Sequence, residues 1–171
     1  MALSYAAVAV EIREISLKQK PASMLQASPK GTVPVLVLTD GRVLEQSLDI
    51  IDWALLQSDL NDWAMQADFN AKDLTDALIA LNDGEFKQAL DKYKYAIRFP
   101  ENPLEIYRAQ GEEFLQRLEN RLSQTTHLCR DQLSKADVAI FPFVRQFSMV
   151  DEVWFESAPY PKLKAWLSAL I

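Results

Sequence analysis

An α/β segment followed by an all-α segment is the fold class that this chain predicts, and three observations carry it. Strand signals, as alternating or continuous apolar runs, are confined to the first third of the sequence. Asp40-Gly41, the strongest hairpin dipeptide present, sits between two of those runs. Beyond about residue 57 only helical periodicity remains. The order strand, helix, strand, hairpin and helix, followed by a helical bundle, leaves a short list of architectures.

Met1 to Val10 (MALSYAAVAV) is apolar, carries no basic residue, and reads as helix from its first residue without a cap. A helix normally opens on Ser, Thr, Asp or Asn, so this one reads as entered part-way. From Val10 to Ser16, alternating apolar and charged residues predict a strand. Pro21 opens a short helix over Ala22 to Ala27, and Ser28-Pro29-Lys30-Gly31 is a loop by composition. The run from Val33 to Leu38 predicts a buried strand, although Pro34 brings no ladder donor to it. Asp40-Gly41 turns it back into Arg42-Val43-Leu44, and Ser47 to Leu56 reads as an amphipathic helix.

The rest of the chain is a succession of helical stripes: Leu74, Leu78 and Leu81; Phe86, Leu90, Tyr93 and Ile97; Tyr107, Gly111, Phe114, Leu118 and Leu122. Pro100 and Pro103 separate the second stripe from the third. Ser134-Lys135-Ala136-Asp137 has the spacing of a capping box, with Asp in the place usually held by Glu. Pro142 falls inside the helix that follows, and Leu163, Trp166, Leu167 and Leu170 mark a last helix after Pro161. There is no internal repeat and no low-complexity segment.

Composition narrows the function classes. The chain has 171 residues, 18 Lys plus Arg against 24 Asp plus Glu, and 49% hydrophobic residues. Its net charge of −6 argues against nucleic acid or an anionic membrane as partner, because phosphate attraction needs clustered Lys and Arg. No apolar run is long enough to span a bilayer. One cysteine, Cys129, cannot close an internal disulfide, which points to a reducing, cytoplasmic setting, and one histidine, His127, cannot anchor a His-rich metal site. Neither matches a nucleophile–base or metal-ligand pattern, so no metal is expected.

Three separated motifs in one order then come into view: Ser28 to Leu38 (SPKGTVPVLVL) with Glu45-Gln46-Ser47-Leu48-Asp49-Ile50, then Leu133 to Pro142 (LSKADVAIFP), then Tyr160-Pro161-Lys162-Leu163. Together they resemble the glutathione S-transferase family, in its bacterial, glutaredoxin-like or omega-like form. The resemblance implies a thioredoxin-like, glutathione-binding domain over residues 1–57 and an all-helical domain over residues 58–171. It also implies that the Val33-Pro34 bond is cis, that Val33 pairs with the cysteinyl backbone of glutathione, and that Gln46 and Ser47 hold its γ-glutamyl end. Lys20 matches a lysine that omega-like members place near the glycyl carboxylate. Glutathione is then a co-substrate, and the other substrate is an unidentified electrophile or disulfide.

The residues have structural readings beside these. Ser47 has the chemistry of an N-cap, Lys20 that of a solvated charge, and Pro34 that of a purely structural proline. The Ser134/Asp137 pair is a capping device, and Tyr93-Lys94-Tyr95 fits a helix surface as well as a cleft wall. Family members also begin with a central strand and a turn that carries the thiol-activating residue, and the resemblance finds no counterpart for either here. It leaves the catalytic residue unassigned, with Ser4 and Tyr5 read as helix residues. The expectation is therefore an N-terminally truncated thioredoxin-like domain, with the strands near Val10 to Ser16 and Val35 to Leu38 left as open edges. Two function classes follow: conjugation or thiol transfer in a full-length form, or a non-catalytic binding or interaction module on the same scaffold. A homodimer is an expected assembly in either case.

Overall fold

The computed structural model describes residues 1–171, which form two compact units, Met1–Ala64 and Met65–Ile171.

In the first unit the opening helix, α1 (Ala2–Tyr5), is shorter than the helix expected over Met1 to Val10. Ala7 takes a left-handed φ of 55°. The Val8 N–H then reaches back to the Leu3 carbonyl at 2.9 Å, and the Ala7 N–H to that of Ser4 at 3.1 Å. These two bonds are the helix-ending Schellman pair. Glycine is the usual residue at the left-handed position, and alanine there left no compositional trace of the stop.

The strand expected from Val10 to Ser16 does not form. Residues 9 to 15 make no backbone hydrogen bonds, and only Ser16 bridges locally to Gln19. The alternation is there, but a strand exists only with a paired neighbour, and no segment lies alongside this one. Its other face stays in water, with Ile12 80% exposed. Arg13 and Ile15 line an open groove of about 190 Å³ together with Met24, Ala27, Val33, Val35 and Val37.

Pro21 sits at the N-cap of α2 (Ala22–Ala27), the helix expected there. After it, Gly31 adopts φ 61°, a left-handed conformation that favours glycine, and a Cβ at that position would crowd Leu25 Cδ2 at 3.1 Å. The Val33–Pro34 peptide is cis. Strand β1 (Leu36–Val37) pairs antiparallel with β2 (Val43–Leu44), Leu36 opposite Leu44 and Val37 opposite Val43. Gly41, at φ 87°, makes the turn between them, as the Asp-Gly pair predicted. The strand expected from Val33 is thus cut to two residues, since Pro34 has no N–H and β2 is the sole partner.

Helix α3 (Ser47–Gln57) buries Ile50, Ile51, Ala54 and Leu55 and packs against α1. Tyr5 of α1 stacks on Trp63 with ring centroids 3.6 Å apart and donates its hydroxyl to Asp59 Oδ1 at 2.9 Å. Asp59 also accepts the N–H groups of Trp63 and Ala64, and the Asn61 N–H donates to the Tyr5 oxygen.

The second unit is all helix: α4 (Phe69–Leu81), α5 (Lys87–Lys94), α6 (Leu104–Leu122), α7 (Lys135–Ser148), α8 (Glu152–Ser157) and α9 (Pro161–Ala169). A π-turn, Asn82–Phe86, joins α4 to α5. The third stripe read from sequence is wholly buried, and Phe147 of α7 lies directly over Gly111 of α6. Ile97 departs from its stripe at 98% exposure, because α5 stops at Lys94 and a 3₁₀ turn, Ala96–Arg98, rotates it outward. Pro142 lies inside α7, which continues through it.

Asp137 is the polar centre of this unit. Fully buried, it closes the capping box with Ser134 and accepts the Ser134 N–H and hydroxyl. It also accepts the Leu128 N–H at 2.9 Å and the Trp166 indole N–H at 2.8 Å. One carboxylate thereby ties the start of α7 to the preceding loop and to α9. Glu119 of α6 does the same for the first turn of α9, accepting the N–H groups of Lys162 and Leu163.

Candidate functional site

The hairpin brings together most of the residues singled out from sequence. Val33 and Pro34 lie just before β1, and Gln46 and Ser47 just after β2, at the open end of the hairpin. Val33 is 49% exposed and makes no backbone hydrogen bond, so its N–H and C=O are available to an extended ligand. Gln46 takes the N-cap position of α3 with its side chain making no capping bond, and Ser47 is the first helical residue. The hydroxyl of Ser47 is therefore not spent as the N-cap. Beside it lie the unpaired N–H groups of the first turn, which carry the positive end of the helix dipole. A carboxylate is the natural complement of that arrangement.

Sequence reasoning missed the group that holds the facing loop. The buried Ser28 donates its hydroxyl to Glu45 Oε1, and Lys30 Nζ stands 3.8 Å from Glu45 Oε2. Glu45 thus ties the loop before Val33 to the residue preceding Gln46. Seventeen residues separate Ser28 from Glu45, and no local pattern links them. Lys20 is exposed and lies across the same loop, its Nζ 3.4 Å from where a Cβ on Gly31 would stand.

The remaining candidates lie elsewhere or are occupied. Tyr5 is committed to Asp59 and Trp63, and Ser4 is an exposed residue of α1. Cys129, in the second unit, is buried against the Thr75 hydroxyl at 3.2 Å, and burial pushes its thiol above the usual range. His127 lies in the adjoining loop with Nδ1 3.2 Å from the Asp131 carbonyl. Tyr93 is 1% exposed and so belongs to the core rather than to a cleft wall.

Comparison with known proteins decides the family. Residues 1–61 match the model of the glutathione S-transferase N-terminal domain, and residues 76–169 match that of the C-terminal domain. The chain belongs to the glutathione S-transferase family. Its fold is a thioredoxin-type N-terminal domain with a small sheet, followed by a helical C-terminal domain.

Solved structures carry the same fold. The chain resembles BphK, a bacterial glutathione S-transferase in a ternary complex, with TM-score 0.80 and 23% identity over 99% of this chain and 84% of the other. It is similar to a glutathione S-transferase of Methylobacillus flagellatus KT solved with glutathione bound, with TM-score 0.78 and 21% identity over 99% and 85%. Glutathione S-transferase 1-6 of Anopheles dirus species B matches with TM-score 0.80 and 17% identity over 99% and 80%. No curated protein sequence matches the chain. No helix is long and apolar enough to cross a membrane.

Proposed function

We propose that this family member binds glutathione at the end of the β-hairpin and serves glutathione conjugation or glutathione-dependent thiol transfer. The observation that carries the reading is the free backbone of Val33, just before β1, together with the uncommitted hydroxyl of Ser47 at the start of α3, just after β2. Val33 pairs with the cysteinyl backbone of the tripeptide, Pro34 borders that contact, and Gln46 and Ser47 hold the γ-glutamyl carboxylate. Lys20 draws the glycyl carboxylate by charge alone. Relatives of the same fold solved with glutathione or lactoylglutathione support the ligand class. The second substrate is an electrophile or a disulfide, and the setting is cytoplasmic.

Thiol activation requires a donor or a positive charge beside the sulfur. Tyr5 does not supply it while its hydroxyl bonds Asp59. Titration calorimetry with glutathione tests the binding, and Ser47→Ala is the informative variant. Binding that is unchanged in Ser47→Ala would refute the assignment of this residue. Conjugation and thiol-transfer assays test the chemistry separately.

A further inference from the structure

We infer that Glu45 is a positioning residue of the glutathione site, setting the spacing between its two ligand-facing segments through Ser28 rather than by contact with the ligand. The inference rests on the binding reading above. Backbone pairing does not set that spacing. The ladder ends at Leu36 opposite Leu44, and Val33, Pro34 and Val35 make no backbone hydrogen bond. Beyond that last rung, the segment carrying Val33 and the segment carrying Ser47 run on with no main-chain bond between them.

Glu45 closes the gap from the β2 side. Its Oε1 accepts the hydroxyl of the fully buried Ser28. Ser28 is itself fixed on both sides: its N–H donates to the Met24 carbonyl at 2.8 Å, ending α2, and its carbonyl accepts the Gly31 N–H at 2.9 Å. The Ser28–Glu45 bond therefore joins a helix end and a closed turn to the end of β2. Val33 stands two residues beyond that turn, and Ser47 two residues beyond Glu45.

The Lys30 contact to the same carboxylate does not serve this purpose, because at 3.8 Å and with Lys30 62% exposed it is an ordinary surface pair. The Ser28 bond is charge-assisted and buried at one end. Deleting the carboxylate leaves the buried hydroxyl without its acceptor. Val33 then has no fixed distance from Ser47, and glutathione must supply the ordering as it binds.

Titration calorimetry with glutathione tests this, run where urea unfolding shows each variant to be folded. Ser28→Ala and Glu45→Ala should each bind about tenfold more weakly, and the double variant no more weakly than either, since all three delete one bond. Glu45→Gln keeps a neutral acceptor and should recover most of the affinity. Ser134→Ala, which loses a cap in the second unit, should bind as the wild type does. A purely structural bond would not alter the coupling to Ser47. Ser47→Ala should cost less affinity in the Glu45→Ala background than in the wild type, because the two ends of the site are no longer held together. Where Glu45→Ala fails to fold, Ser28→Ala provides the background instead. Equal costs of Ser47→Ala in the two backgrounds, or wild-type affinity in Ser28→Ala and Glu45→Ala, overturn the positioning role and leave the binding site standing. A wild-type chain that binds no glutathione overturns the binding reading and this inference with it.

Discussion

Replacing Gly111 with alanine sets two effects of known size against each other. On helix propensity alone the change should stabilise α6 by about 1 kcal/mol, the ordinary cost of a mid-helix glycine. The structure reverses the sign. A Cβ on Gly111 would stand 2.3 Å from Phe147 Cε2 and 2.8 Å from Cζ. Phe147 has nowhere to go: it is fully buried and packed among Phe86, Tyr93 and Trp154, with ring centroids at 5.4, 4.9 and 6.2 Å. Overpacking a filled core costs about 1–3 kcal/mol, and an approach this close belongs at the upper end. The net expectation is a loss of about 2 kcal/mol, or roughly 4–8 °C in Tm for a chain of this size. Urea unfolding followed by tryptophan fluorescence reads it directly. Gly84→Ala is the control, since a Cβ there meets nothing within 4 Å, and it should be neutral or mildly stabilising. If Gly111→Ala proved as stable as the wild type, the claim that Phe147 locks α6 to α7 would be refuted.

Ser47→Ala should weaken glutathione binding about ten- to a hundredfold by calorimetry, the value of a charge-assisted hydrogen bond of about 1.5–3 kcal/mol. Asp137→Ala leaves the N–H groups of Leu128, Ser134 and Trp166 without their acceptor. At about 1–3 kcal/mol for each buried unpaired group, that loss rivals the whole stability of a domain. The variant should unfold at markedly lower urea, whereas Ser134→Ala should cost only about 0.5–2 kcal/mol. Because burial raises the Cys129 thiol, the folded state holds that proton more tightly than the unfolded chain does. Its contribution to stability is complete below the unfolded pKa of about 8.5 and declines as pH rises above it. Cys129→Ala should flatten the fall in stability above about pH 8.5, measured by urea unfolding at increasing alkaline pH.

Elements specified by contacts close in sequence were legible in it. Asp40-Gly41 marks a turn because the left-handed conformation at Gly41 is a property of the residue itself. Pro21 marks a helix start through its own fixed φ, and the Ser134/Asp137 box is closed within four residues. The buried stripe of α6 shows through its period, since one helix face is one set of spacings. The motifs around Val33-Pro34 and Gln46-Ser47 also lie within short segments, which is why they carry a family resemblance by themselves.

Tertiary structure decided what depends on a distant partner. Val10 to Ser16 has strand alternation but no strand, because a ladder needs a neighbour that the segment's own residues cannot supply. Tyr5 looked uncommitted until the fold placed Asp59 and Trp63 against it, more than fifty positions away. The Ser28–Glu45 tie that braces the candidate glutathione loop, and the reach of Asp137 to Trp166, join residues that no periodicity relates. A sequence specifies conformations residue by residue and faces element by element; which buried donor meets which acceptor is settled only when the chain closes on itself.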